Sequence, residues 1–247
     1  MKITVLGFLG GYPAHNDATS CYLLESNGYS LLLDCGSGGL LALEKIMDPL
    51  QLDSVILSHY HADHIADVGV LQYYWQLHVN RPKEPVLPIY GHYLDAEHFN
   101  SLTWPNASKG YAYDPERTLE LGPFKITFLK TEHPVDAFAM RIVEKETGKT
   151  LVFTADTRYF ADLIPFSRDA DILLADTNFF ADHTGPAWHL TASEAGKIAA
   201  QAHVNQLLLT HLPAEGDLNL LRNQAQSVAG EGGVKVETAQ FGLIMNI

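Results

Sequence analysis

Apolar residues gather first into short runs with strand character and later into an alternation of strand-like and helix-like stretches. The early runs are Ile3–Leu9, Ser20–Glu25, Tyr29–Asp34 and Ser54–Ser58. Ser26-Asn27-Gly28 is a turn signal between the second and third, which predicts a hairpin. Leu40–Met47 reads as a helix stopped by Asp48-Pro49, and Ile65–Leu77 as a second. Residues 80–117, with several prolines and tyrosines, read as an irregular excursion containing a short helix near Leu94–Leu102. Strands return at Phe124–Lys130, Phe138–Lys145 and Thr150–Thr154, the last two joined by a turn over Glu146–Lys149. The final third alternates: strand Ile172–Ala175, helix Thr191–His203, strand Gln206–Thr210, helix Asp217–Ala229, strands Lys235–Glu237 and Phe241–Ile244. Two hairpins combined with strand–helix–strand units predict an α/β protein built as a two-sheet sandwich with helices outside. A single doubly wound parallel sheet accommodates the hairpins less well. No linker or repeat divides the chain, so residues 1–247 are expected to form a single domain.

Composition narrows the function classes. The 47% hydrophobic and 18% charged residues are ordinary for a globular protein. A formal net charge of −13 opposes salt-driven attraction to nucleic acid backbones and anionic membranes. It leaves small anionic substrates open, since a bound cation dominates the field of its own site. No stretch is long and apolar enough to predict a membrane span, and the N-terminal run reads as a first strand, so a cytoplasmic location is expected. Cys21 and Cys35 lie in or beside strand-like runs without zinc-knuckle spacing, and buried structural thiols are expected.

The chemistry begins at His59-Tyr60-His61-Ala62-Asp63-His64, where four metal-capable side chains fall within six residues just past a buried strand. Imidazole suits zinc and similar borderline metals, and a carboxylate adds negative charge. Three further candidates each lie at or just past a predicted strand end: His133, Asp156 and His211. A lone histidine at a strand end is usually packed or on the surface, and Asp156 alone could cap a helix. Together with the six-residue cluster they make a metal site the better account.

These residues resemble the metallo-β-lactamase-fold hydrolases. His59, His61, Asp63 and His64 match that family's HxHxDH motif, and His133, Asp156 and His211 match its later ligands in order. Asp34-Cys35-Gly36-Ser37-Gly38 matches its aspartate–glycine turn. The resemblance implies a four-layer αββα sandwich and two divalent ions, zinc by default, with manganese or iron able to use the same donors. It assigns His59, His61 and His133 to one ion and Asp63, His64 and His211 to the other, with Asp156 bridging. It also implies attack by a metal-bridging hydroxide, with Asp63 counted among the catalytic residues. Two ions ~3.5–4 Å apart lower the pKa of water towards ~7 and stabilise entering and leaving oxygens. Asp34 is expected to orient a histidine or the turn rather than bind metal.

His189, in His189-Leu190-Thr191-Ala192-Ser193-Glu194, precedes a helix that Thr191 and Glu194 are expected to open with a capping box. The segment also resembles the His-x-Thr-Ala motif of the ribonuclease Z-like phosphodiesterase branch. There the histidine approaches the scissile phosphate and pairs with an upstream acid; here Asp176 stands where glutamate is usual. Such a histidine can protonate a leaving oxygen or stabilise phosphorane charge. His15, His78, His92, His98, His183 and His203 carry no motif and are expected to be structural or on the surface, though His15 follows a loop that could reach the site mouth.

The expected activity is therefore hydrolysis of a small phosphodiester, a cyclic nucleotide or short oligonucleotide. A glyoxalase II-like thioesterase shares the ligand set, but its basic helical C-terminal region is represented here after His211 only by Arg222 and Lys235. Class B β-lactamases often place cysteine where Asp156 stands, and di-iron oxidoreductases often replace the second motif histidine, present here as His61. tRNA 3′ processing is disfavoured, because residues 133–156 leave room for one hairpin rather than a tRNA-binding arm. Leu212-Pro213-Ala214-Glu215 also departs from that branch's pattern. Outside enzymology, a metal-stabilised binding protein would fit a decayed site, and the complete ligand set argues against it. The Tyr73-Tyr74-Trp75 run offers a homodimer interface or a pocket wall, with at least two of the rings expected in the core.

Overall fold

The structure, a computed structural model, describes residues 1–78 and 81–247. Its backbone falls into two compact units, Met1–Arg117 with Gln240–Asn246, and Thr118–Ala239 with Ile247. Each is built around one sheet.

The first unit runs β1 (Lys2–Leu9), β2 (Ala18–Thr19), β3 (Cys21–Ser26), β4 (Tyr29–Leu33), α1 (Gly39–Glu44), β5 (Ser54–Ile56), α2 (Ala62–Ile65), α3 (Val68–Leu77), β6 (Leu87–Gly91), α4 (Ala96–Ser101) and β7 (Ser108–Ala112). β1, β3 and β4 pair antiparallel, and the expected hairpin closes through Asn27 and Gly28, both at positive φ. From β4 onward the strands β4, β5, β6 and β7 pair in parallel, with helices in the crossovers. Leu23, Leu32, Val55, Leu71, Trp75 and Ile89 belong to the core of this unit.

The second unit holds β8 (Leu119–Leu121), β9 (Phe124–Lys130), β10 (Phe138–Glu144), β11 (Thr150–Phe153), α5 (Leu163–Ser167), β12 (Ile172–Asp176), α6 (Ala192–Gln201), β13 (Gln206–Thr210), α7 (Leu218–Ala229) and β14 (Lys235–Thr238). β8 to β11 form an antiparallel meander, and β11, β12, β13 and β14 pair in parallel. α6 and α7 cross closely at Gly196, where an added Cβ would stand 2.4 Å from the Ala225 carbonyl oxygen. The last strand, β15 (Ile244–Asn246), pairs antiparallel with β1 in the first unit's sheet.

Several elements differ from the sequence expectation. Asn80, where the irregular excursion was expected to begin, lies outside the described residues. From residue 81 onward that stretch contains β6 and β7, whose strand signal is broken by Pro88, Gly91 and Gly110. The helix expected over Ile65–Leu77 starts inside the histidine cluster as α2 and is interrupted before α3. There the Asp67 amide donates to the Cys35 carbonyl and its carboxylate accepts from the Leu40 amide. α1 stops at Glu44 rather than Met47. The strand expected at Phe241–Ile244 begins only at Ile244, because the chain turns through Gly242, whose amide donates to Val5. β8, a strand of three residues, and α5, a helix of five, are too short to show a clear pattern and were not anticipated. Trp75 is in the core and Tyr74 packs against it, while Tyr73 is exposed. Among the described residues, no helix is long and apolar enough to cross a membrane.

Candidate metal centre

Parallel strands place side chains that leave their C-terminal ends along one edge, the usual position of ligand sites in α/β sheets. In the first unit β4 ends at Asp34, β5 leads to Ser58 and His59, β6 leads to His92 and β7 to Tyr113. In the second unit β11 leads to Asp156, β12 ends on Asp176 and β13 leads to His211. β9, running in the same direction as β11, leads to His133. The metal-capable residues thus collect at one sheet edge in each unit. Three non-glycine residues here, Asp34, Ala155 and His211, hold the left-handed conformation, at φ of 57°, 51° and 51°. Each such residue costs on the order of 1 kcal/mol and persists where surrounding contacts fix it.

In the first unit that fixing agent is Asp34. Its carboxylate, fully buried, accepts from the Ser58 amide at 2.7 Å, Ser58 Oγ at 2.9 Å, Ser20 Oγ at 3.2 Å and His64 Nδ1 at 2.7 Å. Because the Ser58 hydroxyl proton goes to Asp34, Ser58 Oγ accepts from His59 Nδ1 at 3.0 Å. Both histidines are thereby set as Nδ1–H tautomers that present Nε2 as a lone-pair donor. The rings of His61 and His64 lie 4.9 and 4.1 Å from that of His59, and His64 Nε2 is 3.7 Å from Asp63 Oδ2. The Gly11 amide donates to Asp63 Oδ2 at 2.7 Å. Beneath the motif, the buried Tyr113 hydroxyl donates to the Leu57 carbonyl at 3.0 Å. Gly36 touches the motif backbone so closely that a Cβ there would stand 2.0 Å from the Asp63 carbonyl oxygen. The role expected of Asp34, orienting a histidine, is what its contacts show.

In the second unit Asp156 Oδ2 lies 3.3 Å from His211 Nε2, 3.8 Å from His133 Nε2 and 4.0 Å from His189 Nδ1. His133 Nδ1 donates to the Trp188 carbonyl at 3.3 Å, and His211 Nδ1 lies 3.3 Å from Asp176 Oδ1. His133 Nδ1 is thus held by a hydrogen bond and His211 Nδ1 lies within ion-pair distance of a carboxylate, while Nε2 of each is turned towards Asp156. Asp176 Oδ2 accepts from the Thr157 amide at 3.0 Å and from His189 Nδ1 at 2.9 Å. Asp156, Asp176, His189 and His211 each bring one ligand-type atom within 4.8 Å of the others. Since both oxygens of Asp176 already face His189, His211 and Thr157, Asp176 serves better as an orienting anion than as a ligand. Burial lowers the affinity of His189 for a proton, but the Asp176 carboxylate, by charge and by hydrogen bond, and then Asp156 outweigh it, so its pKa is raised.

The donor chemistry fits divalent metal: imidazole nitrogens with fixed tautomers beside buried carboxylates, and no sulfur ligand. Cys21 and Cys35 are buried free thiols, and burial pushes both pKa values up, as expected for inert structural residues. Thr191 and Glu194 form the predicted capping box at the start of α6. Of the histidines without a motif, His98 pairs with Asp95, His78 closes α3, and His183 stacks on Phe179. His15 sits at positive φ beside a cavity of about 450 Å³ lined also by Leu41, Lys45 and Phe241. Sequence reasoning missed Ser58, Gly11, Arg158 and Trp188. Adjacency to motif residues was the available signal for Ser58, Arg158 and Trp188, whereas Gly11 is distant in sequence from Asp63.

A fold of two mixed sheets whose edges carry orienting carboxylates and metal-capable histidines defines a metal-dependent hydrolase of the metallo-β-lactamase fold. The chain belongs to the beta-lactamase superfamily domain family, whose model matches residues 29–212. It is 51% identical over 243 residues to a probable metallo-hydrolase, YhfI, of Bacillus subtilis (strain 168), covering 98% of each chain. The crystal structure of YhfI superposes with a TM-score of 0.94 at 47% identity, covering 99% of this chain and 98% of that one. The ribonuclease Z of Methanosarcina mazei is 26% identical over 288 residues, covering 92% of this chain and 93% of its own.

Proposed function

We propose that this metal-dependent hydrolase cleaves a small phosphodiester, a cyclic nucleotide or short oligonucleotide. Its ligand set is His59, His61 and His133 for one divalent ion and Asp63, His64 and His211 for a second, with Asp156 serving both. Zinc is the preferred metal for so imidazole-rich a set, and manganese or iron can use the same donors. When bound, such ions polarise the diester and let water ionise near neutral pH.

The protein's own contribution centres on His189, and the observation that carries the reading is its 2.9 Å contact with Asp176. Asp176 accepts the Nδ1 proton, which leaves the Nε2 proton of the charged ring as the one free to be transferred. The raised pKa carries the protonated form to higher pH than in a free imidazole, the direction that protonation of a leaving alkoxide favours. A thioester, whose thiolate leaves readily, has little need of such a donor. Asp34 and Asp176 hold the ligand histidines, and Asp63, fixed by the Gly11 amide, faces His64.

Substrate size follows from other features. Between His133 and Asp156 the chain forms the β10–β11 hairpin. The alignment with ribonuclease Z runs over 288 positions, more than the 247 residues present here, so that enzyme carries segments without a counterpart in this chain. With a net charge of −13, this supports a substrate smaller than tRNA. Metal analysis joined to a panel of bis-aryl phosphates, cyclic nucleotides, precursor tRNA and thioesters tests the reading. Turnover of the small diesters by the metal-loaded protein is expected. Preferential cleavage of thioester or precursor tRNA would overturn it.

A further inference from the structure

Three residues beside the second unit's proposed ligands are tied to one another, and neither metal binding nor proton transfer uses their side chains. Glu132 precedes His133, Arg158 stands two positions after Asp156, and Trp188 precedes His189. Arg158 Nε donates to Glu132 Oε2 at 2.6 Å, and the Arg158 amide donates to the Glu132 carbonyl at 3.1 Å. The guanidinium carbon stands 5.5 Å from the centre of the Trp188 ring, in cation–π range. The Trp188 carbonyl in turn accepts from His133 Nδ1. Trp188 is thus fixed through its backbone to a ligand histidine and through its ring to a cation, yet 44% of it is exposed. An indole ordinarily buries most of its large apolar surface. Nearby, the Phe179 ring lies 5.9 Å from that of His189, so the proton donor also has an aromatic neighbour.

We propose that Trp188, backed by Arg158, is the platform on which a base of the substrate stacks, which makes the substrate a nucleotide diester rather than an alkyl one. The proposal rests on the phosphodiesterase reading and adds to it the residues that recognise the base of the nucleotide. An aromatic face accepts any base, because every base has a π-face, so the platform separates base-bearing from base-free diesters without selecting among bases. Arg158 strengthens the stack from behind the ring, and Glu132 holds Arg158 in place.

The test compares two diesters with the same leaving group, thymidine 5′-(p-nitrophenyl phosphate) and methyl p-nitrophenyl phosphate, on the metal-loaded full chain. The readout is the ratio of their kcat/KM values, which a general loss of folding does not move. The native protein is expected to favour the thymidine ester. Trp188→Ala should cut that preference about ten-fold, chiefly through KM, as for loss of one stacked base. Trp188→Phe, which keeps a ring, should restore most of it, and Arg158→Gln should lower it several-fold. Turnover of both esters with a ratio unmoved by Trp188→Ala overturns the platform alone. Failure to hydrolyse either ester overturns the phosphodiesterase reading, and the platform with it.

Discussion

The two units hold their metal-capable residues with the same device applied over different ranges of sequence. In the first, the candidate ligands come from six consecutive residues, and one buried carboxylate, Asp34, accepts from two serine hydroxyls, a backbone amide and a histidine. In the second, the candidate ligands arrive from separate strand ends, and Asp176 accepts from His189 and lies within ion-pair distance of His211, 22 positions further along the chain. The first arrangement is a rigid local turn that one anchor can fix. The second depends on the register of β11, β12 and β13, which brings Asp156, Asp176 and His211 to one edge. Local anchoring suits metal retention, whereas the dispersed arrangement leaves room for His189, 21% exposed, to meet a substrate.

The largest separation between the halves should come from His189→Ala. Loss of a general acid lowers kcat by roughly 10²–10⁴. Because His189 is not assigned to a metal, elemental analysis should find the native metal content in this variant. Unchanged diester turnover would remove His189 from the mechanism, and a metal-free variant would make it a ligand.

Asp34→Asn should do the reverse. An amide cannot accept all the hydrogen bonds that the carboxylate takes, and His64 loses the anion that sets its tautomer. Removal of such a partner weakens metal affinity about 10–100-fold. Competition with a zinc chelator measures this, and kcat at saturating metal should fall far less than in His189→Ala. An affinity equal to that of the native protein would show that the first unit's turn does not depend on its anchor.

Asp176→Asn separates the units by pH. The native carboxylate raises the pKa of His189 against the lowering effect of burial. Without that charge the lowering effect gains ground, so the pKa falls and the proton is lost at a lower pH. If protonated His189 is the acid, the alkaline limb of the kcat–pH profile moves to lower pH in this variant. It should stay in place in Asp34→Asn, whose carboxylate belongs to the other unit's turn. A limb that does not move would assign the alkaline limb to another group.

The same contrast explains how much could be read from the chain. The cluster His59–His64 was legible because ligand types at fixed spacing after a strand have few other uses. His133, Asp156 and His211 were legible only through their order, since each alone looks like a packed or capping residue. The alternation of strands and helices in the second unit was clear, since β12 and β13 are centred on apolar runs and are followed by helices with side-chain N-caps, Thr191 and Asp217. β6 and β7 were hidden because Pro88, ahead of the β6 residues that pair with β5, and Gly110, on the edge strand β7, are both taken as loop by a local reading. Trp188 and Arg158 were not found, because their significance lies in contacts with Glu132 and His133 at sequence separations of 26 and 55. No periodicity announces a contact of that range.

Thr191→Ala makes the finest division, between the helix that carries the second unit's site and the site itself. Thr191 Oγ1 accepts from the Glu194 amide, and the Glu194 side chain accepts from the Thr191 amide, which closes the N-terminus of α6 two residues after His189. Loss of such a cap costs about 1 kcal/mol. The variant should therefore melt a few degrees lower while its kcat for diesters stays near native, because Asp176 rather than the cap fixes the His189 ring. Thermal melts and steady-state rates on one preparation check both halves of this expectation. A large fall in kcat with an unchanged melting temperature would mean that the capping box positions His189, and that the second unit, like the first, relies on a local anchor.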